Sequence, residues 1–203
     1  EGPHWYELTP GSAPRSLTAR IAEGASVFTD HTVGQHGVLP GAAYMEIARA
    51  AAAQLLGTAI DGMAHVVWLR PLLAPARGAA ELSISVEETA SGARFSVTSG
   101  GEGAPVVHCE GHLLLGQSGA QGPWPGADAL DAALRDTDAA LDREACYARL
   151  QDQQLAYGAT FRALLGVRSG PAVAVAEYAR PEGPEVGGEV LPPALLDGVL
   201  QSV

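Results

Sequence analysis

Asp30-His31-Thr32-Val33-Gly34-Gln35-His36-Gly37-Val38-Leu39-Pro40-Gly41-Ala42-Ala43-Tyr44 is the stretch whose reading decides the fold. It begins as the end of a short apolar strand, passes through a glycine-studded loop and enters a helix. Pro40 suits a first helical turn, where the missing N–H would have had no partner anyway. Gly41 lets another group come close to the backbone. From Ala42 to Leu56 nearly every residue is a helix former, and only Glu46, Arg49 and Gln54 interrupt the apolar surface. A helix that apolar on most sides is predicted to be buried. His31 then stands beside the N-terminus of a buried helix, where free N–H groups and the dipole favour developing negative charge. Such a place suits a reaction centre.

Outward from this stretch, Glu1 to Pro14 reads as an irregular lead-in, and Ser16 to Ile21 and Ala25 to Thr29 as short strands. Beyond the helix, Met63 to Leu69 is rich in strand formers and ends at Arg70-Pro71. Glu81 to Glu87 and Ala93 to Thr98 alternate apolar and polar residues and are joined by a hairpin-like link; Ala104 to Leu115 is a further long strand. Gly116 to Gly126 is the clearest linker. Ala127 to Leu141 and Glu144 to Gln151 read as helices, Tyr157 to Phe161 as a turn, and Ala163 to Val167 with Ala172 to Ala179 as a hairpin. Arg180 to Gly188 is a loop, and Pro192 to Gln201 begins another apolar helix. The second half therefore repeats the first: strands, a loop, a buried helix. The predicted class is α+β, antiparallel sheets wrapped round long helices. The division is 1–115, a linker over 116–127, and 128–203. A buried helix with no sheet to cover it would expose a large apolar face, so the second unit reads as incomplete.

With 203 residues, 47% hydrophobic and 17% charged, the chain belongs among globular proteins. The 12 basic residues are all arginine, and the net charge is −11. That balance argues against nucleic acid or an anionic membrane surface as a partner. Cys109 and Cys146 lack CxxC spacing and read as small apolar residues in a reducing compartment. No long apolar span and no leader pattern are visible, so a cytoplasmic location is expected.

Three segments carry a family resemblance. His31 through Pro40 is close to an HxxxGxxxxP motif, Tyr157-Gly158-Ala159-Thr160-Phe161 resembles YGPxF, and Asp197 with Gln201 matches DxxxQ. Val107-His108-Cys109-Glu110-Gly111 also looks like the strand that closes a first sheet-and-helix unit. In this order the segments resemble the dehydratase domain of modular polyketide synthases, a double hotdog in which two sheets each cup one long helix. The chain departs from that pattern at Gln35, where the motif has glycine, with Gly34 and Gly37 flanking it. It departs again at Ala159, where the motif has proline, and at Pro192 or Pro193, where a histidine is often found.

The resemblance implies removal of water from a 3-hydroxyacyl thioester carried on an acyl carrier protein. That chemistry needs a base for the α-proton and an acid for the departing hydroxyl. His31 suits the base because imidazole titrates near neutrality. Asp197, between Leu195-Leu196 and Val199-Leu200, suits an acid whose pKa is raised by apolar surroundings. Gly41 would offer its N–H to the thioester oxygen, with Pro40 and Gly34 supporting the loop. The bland readings stand beside these. His31 alone reads as a packed loop histidine, and Asp197 as a helix cap or first-turn acid. Gln201, one turn after Asp197, either orients the carboxyl or lies at the helix surface. Tyr157 either meets the substrate hydroxyl, as the resemblance implies, or anchors its turn. His36 is expected to face solvent. His4 and His65 carry no signal. His108 and His112 are expected on one strand face and read as structural, with no metal implied. The resemblance calls for no cofactor, since the carrier supplies the phosphopantetheine arm. It implies other synthase domains and a homodimer as partners, with carrier docking through arginines such as Arg162 or Arg168. Two alternatives compete: a dehydratase that also closes an oxygen ring by oxa-Michael addition, and a structural domain without activity.

Overall fold

The computed structural model describes residues 5–100, 104–116, 126–180 and 190–202. His4, most of the predicted linker (117–125) and the loop over 181–189 lie outside them. The first half builds one antiparallel sheet from β1 (Glu7–Pro10), β2 (Ser16–Ala22), β5 (Gly62–Trp68), β6 (Ala79–Thr89), β7 (Gly92–Ser99) and β8 (Val106–Leu114). Its strand order is β1-β2-β6-β7-β8-β5. The predicted lead-in therefore contains an edge strand, β1, paired with β2 from Glu7↔Arg20 to Pro10↔Leu17. No alternation announces so short a strand, and Pro10 fits because edge strands tolerate a missing donor.

Between these strands lie α1 (Ser26–Thr29), β3 (His31–Val33), β4 (His36–Gly37) and α2 (Gly41–Leu56). The expected strand over Ala25–Thr29 is the single helical turn α1, which buries Val27 and Phe28 side by side. A strand would have sent those neighbours to opposite faces. Helix α2 is the core. Ala43, Tyr44, Ile47, Ala48, Ala51 and Ala52 are buried against Ile21, Leu82, Ile84, Phe95, Val97 and Cys109 of the sheet. Its many alanines let the sheet curl close, because a small side chain keeps the layers near one another. Gly57, with φ +64°, ends the helix in the left-handed conformation and bonds back to Ala53 O.

The second half contains α3 (Ala127–Arg135), β9 (Ala139–Asp142), α4 (Arg143–Asp152), β10 (Leu155–Tyr157), a 3₁₀ turn (Ala159–Phe161), β11 (Leu164–Ser169), β12 (Ala174–Tyr178) and α5 (Pro193–Gln201). The predicted helix over Ala127–Leu141 breaks at Arg135, and Ala139–Asp142 instead pairs with β11. Sheet pairing overrides the helix propensity of Ala139, Ala140 and Leu141. The second sheet runs β12-β11-β9, and α5 packs against it and against α2. A third small sheet, β10-β3-β4, joins the halves.

His108 and His112 do not share a face. A bulge in β8 at His108, opposite Val97 and Thr98 of β7, turns His108 inside beside Cys109, where it bonds Ser99 Oγ at 2.7 Å and Arg70 O at 2.9 Å. His112 lies on the other face against His65. Among the described residues no helix is long and apolar enough to cross a membrane, and no cluster of His, Cys, Asp or Glu has the makings of a metal centre.

Candidate active site

Strand β3 of the first half pairs with β10 of the second, with Tyr157 directly opposite His31. Directly opposed residues project to the same side, so the phenol packs edge-on against the imidazole, ring centres 5.4 Å apart. Phe161, buried in the 3₁₀ turn, closes another side of the imidazole at 5.7 Å. Asp30 ties that turn down: its carbonyl accepts the Gly158 N–H at 2.9 Å, and its carboxylate accepts the Thr160 N–H at 2.9 Å. A Cβ on Gly158 would lie 2.4 Å from Asp30 Cγ, so glycine is required here by close approach.

The hairpin linking β3 to β4 has two central residues, Gly34 and Gln35. Gly34 takes φ +62°, while Gln35 has no positive φ. A glycine first and an ordinary residue second is the pattern of a type II′ turn. The departure at Gln35 is thus free of backbone strain, because Gly34 supplies the left-handed residue. His36 is exposed, as expected.

His31 is bracketed by Val38. Its carbonyl accepts the Val38 N–H at 3.0 Å, and Nδ1 lies 2.7 Å from Val38 O. A carbonyl only accepts, so Nδ1 carries a proton, and in the neutral ring Nε2 presents a bare lone pair. That nitrogen faces Asp197 Oδ2 at 3.9 Å, with both side chains buried. Two residues past Val38, Pro40 caps α2, and the first N–H groups of that helix, from Gly41 onward, have no partner within the helix. Trp68 covers this end, its indole N–H donating to Gly41 O at 3.0 Å.

Asp197 is the fifth residue of α5 and lies outside its first turn, so it is no cap. Pro192 and Pro193 open that helix, where proline fits. The buried face of α5 is Pro193, Ala194, Asp197 and Gly198. The sequence neighbours Val199 and Leu200 are about half exposed, at 47% and 49%. Burial of the carboxyl therefore comes from tertiary neighbours. Gly198 is one cause: a Cβ there would sit 3.2 Å from Ala163 Cβ and 3.4 Å from the Tyr178 ring, so its absence seats α5 close to the sheet. Desolvation raises the Asp197 pKa, opposed by His31 and by the Gln201 hydrogen bond. Gln201 Nε2 donates to Asp197 Oδ2 at 2.8 Å and to Phe161 O at 3.2 Å. Tyr157 is likewise raised, by burial first and then by the charges of Asp197 and Tyr147.

The structure thus gathers His31, Tyr157, Asp197 and Gln201 round one point, with Gly41 at the neighbouring helix start. Sequence reading missed three contributors. Asp30 and Phe161 sit inside motifs already quoted, so proximity was the available signal. Tyr147, whose hydroxyl donates to Gln201 Oε1 at 3.1 Å, lies on α4 with no local signal. The two arginines named as alternatives for carrier docking lie in different surroundings. Arg162 lines a cavity of about 660 Å³ beside Tyr157, with Arg143 and Arg180. Arg168 reaches instead toward Thr137.

Residues 8–100 match the family model described as "Polyketide synthase dehydratase domain", and residues 125–203 the one described as "Polyketide synthase dehydratase N-terminal domain". The chain belongs to the polyketide synthase dehydratase family. It is 36% identical over 181 residues to polyketide synthase ThaG of Burkholderia thailandensis, covering 86% of this chain and 3% of that protein. It is 32% identical over 215 residues to the spectinabilin polyketide synthase system protein NorA' of Streptomyces orinoci, covering 99% of this chain and 6% of the relative. The chain thus spans a small fraction of these large synthase proteins. Among solved structures, a trans-AT polyketide synthase dehydratase domain from Brevibacillus brevis superposes with a TM-score of 0.83 at 24% identity, over 97% of this chain and 71% of the other. The dehydratase domain of a mycocerosic acid synthase-like polyketide synthase gives 0.75 at 29% identity, over 98% and 69%. The dehydratase fold is accordingly a double hotdog, in which α2 and α5 are the two central helices.

Proposed function

We propose that this domain removes water from a 3-hydroxyacyl thioester on an acyl carrier protein, giving a 2-enoyl thioester. The observation that carries this reading is the facing of His31 Nε2 and Asp197 Oδ2 at 3.9 Å, with both side chains sequestered from solvent. The bare Nε2 takes the proton from the carbon next to the thioester. As the C–H pair becomes the new double bond, the C3–O bond breaks, and protonated Asp197 delivers its proton to the departing hydroxyl, which leaves as water. One proton has then moved from Asp197 to water and one from substrate to His31. Transfer of the imidazolium proton back to the Asp197 carboxylate restores the starting state. The raised Asp197 pKa supports the acid role, since a carboxyl ionised at neutral pH has no proton to give. The N–H groups at the Gly41 end of α2 suit the thioester oxygen as negative charge develops. Tyr157, on the same side as His31, suits the substrate hydroxyl.

No cofactor is required by this scheme. The arginine-lined cavity bearing Arg143, Arg162 and Arg180 beside Tyr157 supports docking of an acidic carrier, despite a net charge of −11. Incubation of the protein with a synthetic 3-hydroxyacyl pantetheine thioester tests the reaction. Mass spectrometry is expected to record loss of one water, abolished by His31→Ala. Unchanged conversion by that variant would reject His31 as the base.

A further inference from the structure

Three hydrogen bonds lead in one direction to Asp197, and the direction is fixed by backbone groups that can play only one role. Leu164 N–H can only donate, and it points at Tyr147 Oη at 3.1 Å. Phe161 O can only accept, and Gln201 Nε2 lies 3.2 Å from it. The Gln201 amide is therefore oriented with its nitrogen toward Phe161 O and Asp197, and its oxygen toward Tyr147. The Tyr147 proton goes to Gln201 Oε1 at 3.1 Å, the longer alternative being Phe161 O at 3.3 Å. Gln201 Nε2 then donates to Asp197 Oδ2 at 2.8 Å. The ring of Tyr147 is itself buried, with the Arg162 guanidinium 4.5 Å above its centre and the Tyr157 ring at 5.9 Å.

We infer that Tyr147 is a positioning residue for the acid. Its hydroxyl locks the Gln201 amide as a permanent donor to Asp197 Oδ2, so that the deliverable proton resides on Oδ1. An oxygen that accepts a strong N–H bond is the carbonyl-like one of a neutral carboxyl, which leaves the hydroxyl hydrogen to the other. The relay consists of neutral groups, so it serves the carboxyl both before and after it gives up its proton. Without the Tyr147 hydroxyl, Gln201 Oε1 loses its donor and the amide is held in its orientation toward the carboxyl only by the bond from Nε2 to Phe161 O.

This inference rests on the proposed dehydration, and its test separates the two. Tyr147→Phe, Gln201→Ala and the double variant are assayed in the same protein with the 3-hydroxyacyl pantetheine thioester. Infrared spectra of the protonated Asp197 carbonyl band, identified by its loss in Asp197→Asn, are recorded alongside. Tyr147→Phe is expected to lower kcat by about tenfold with KM within about twofold. The double variant is expected to be no slower than Gln201→Ala, because the two groups act in one line. The carbonyl band is expected to move in Tyr147→Phe. A double variant whose loss equals the product of the single losses, an unmoved band, or a Tyr147→Phe protein that fails to fold would each overturn the relay, assigning the hydroxyl to Leu164 alone. If the unaltered protein releases no water, the dehydration reading fails and the infrared band alone decides the relay.

Discussion

The two nitrogens of His31 divide their duties: Nδ1 is committed to Val38 O, and only Nε2 is available for chemistry. Its partner Asp197 is held against its own preference for water, and that has a sign that can be measured. A carboxyl raised above its ordinary value of 3.8 binds its proton more tightly folded than unfolded. Stability then falls as pH rises from that ordinary value through the raised one. Asp197→Asn keeps an oxygen for Gln201 and removes the charge. We expect this variant to be inactive yet to melt above the parent at neutral pH, by at least about 2 °C, with the difference vanishing in acid. Thermal melts across pH check it. A lower melting temperature at neutral pH would mean that attraction to His31 outweighs desolvation. Sequence alone gave Asp197 a plausible setting for the wrong reason. Leu195, Leu196, Val199 and Leu200 are its neighbours in the chain, but Val199 and Leu200 are half exposed, and the close seat made by Gly198 belongs to the tertiary fold.

Among the elements, the turn between β3 and β4 carries the largest departure from the motif and none of its strain. Gly34 holds the positive φ, so Gly34→Ala is expected to destabilise the domain by about 1 kcal/mol, whereas Gln35→Gly changes stability by no more than about 0.5 kcal/mol. Denaturant titration distinguishes the two, and equal effects would mean that the left-handed residue is misassigned. Helix α2 and the strands β6, β7 and β8 were legible because periodicity of 3.6 or 2 runs through them uninterrupted. Strand β1, the turn α1 and strand β9 were not. Each is four residues long, too short for a period to show, and each is set by what it packs or pairs with.

Across the described residues, besides the packing of α5 on α2, the halves are sewn together by the β3–β10 ladder, the bonds from Asp30 to Gly158 and Thr160, and the fully buried Glu46. Glu46 is held by Arg49 through two contacts of 2.8 Å, and its Oε2 also accepts the Leu191 N–H at 3.0 Å, just ahead of the helix that bears Asp197. From sequence, Glu46 was merely an interruption of an apolar face; its long-range partner, 145 residues away, could not be read there. Glu46→Gln leaves Arg49 without a counter-charge in a largely buried place, so a loss of about 3–5 kcal/mol is expected in chemical denaturation. A loss under about 1 kcal/mol would mean that solvent reaches Arg49 and the pair adds little.

Trp68, finally, is more than a cover for Gly41. Of the described tryptophans, Trp5 is sealed in the core at 4% exposure while Trp68 is 45% exposed, its indole fastened to the first carbonyl of α2. Its fluorescence therefore arises beside the first turn of α2, next to the N–H groups proposed for the thioester oxygen, and a thioester bound there is expected to shift its emission.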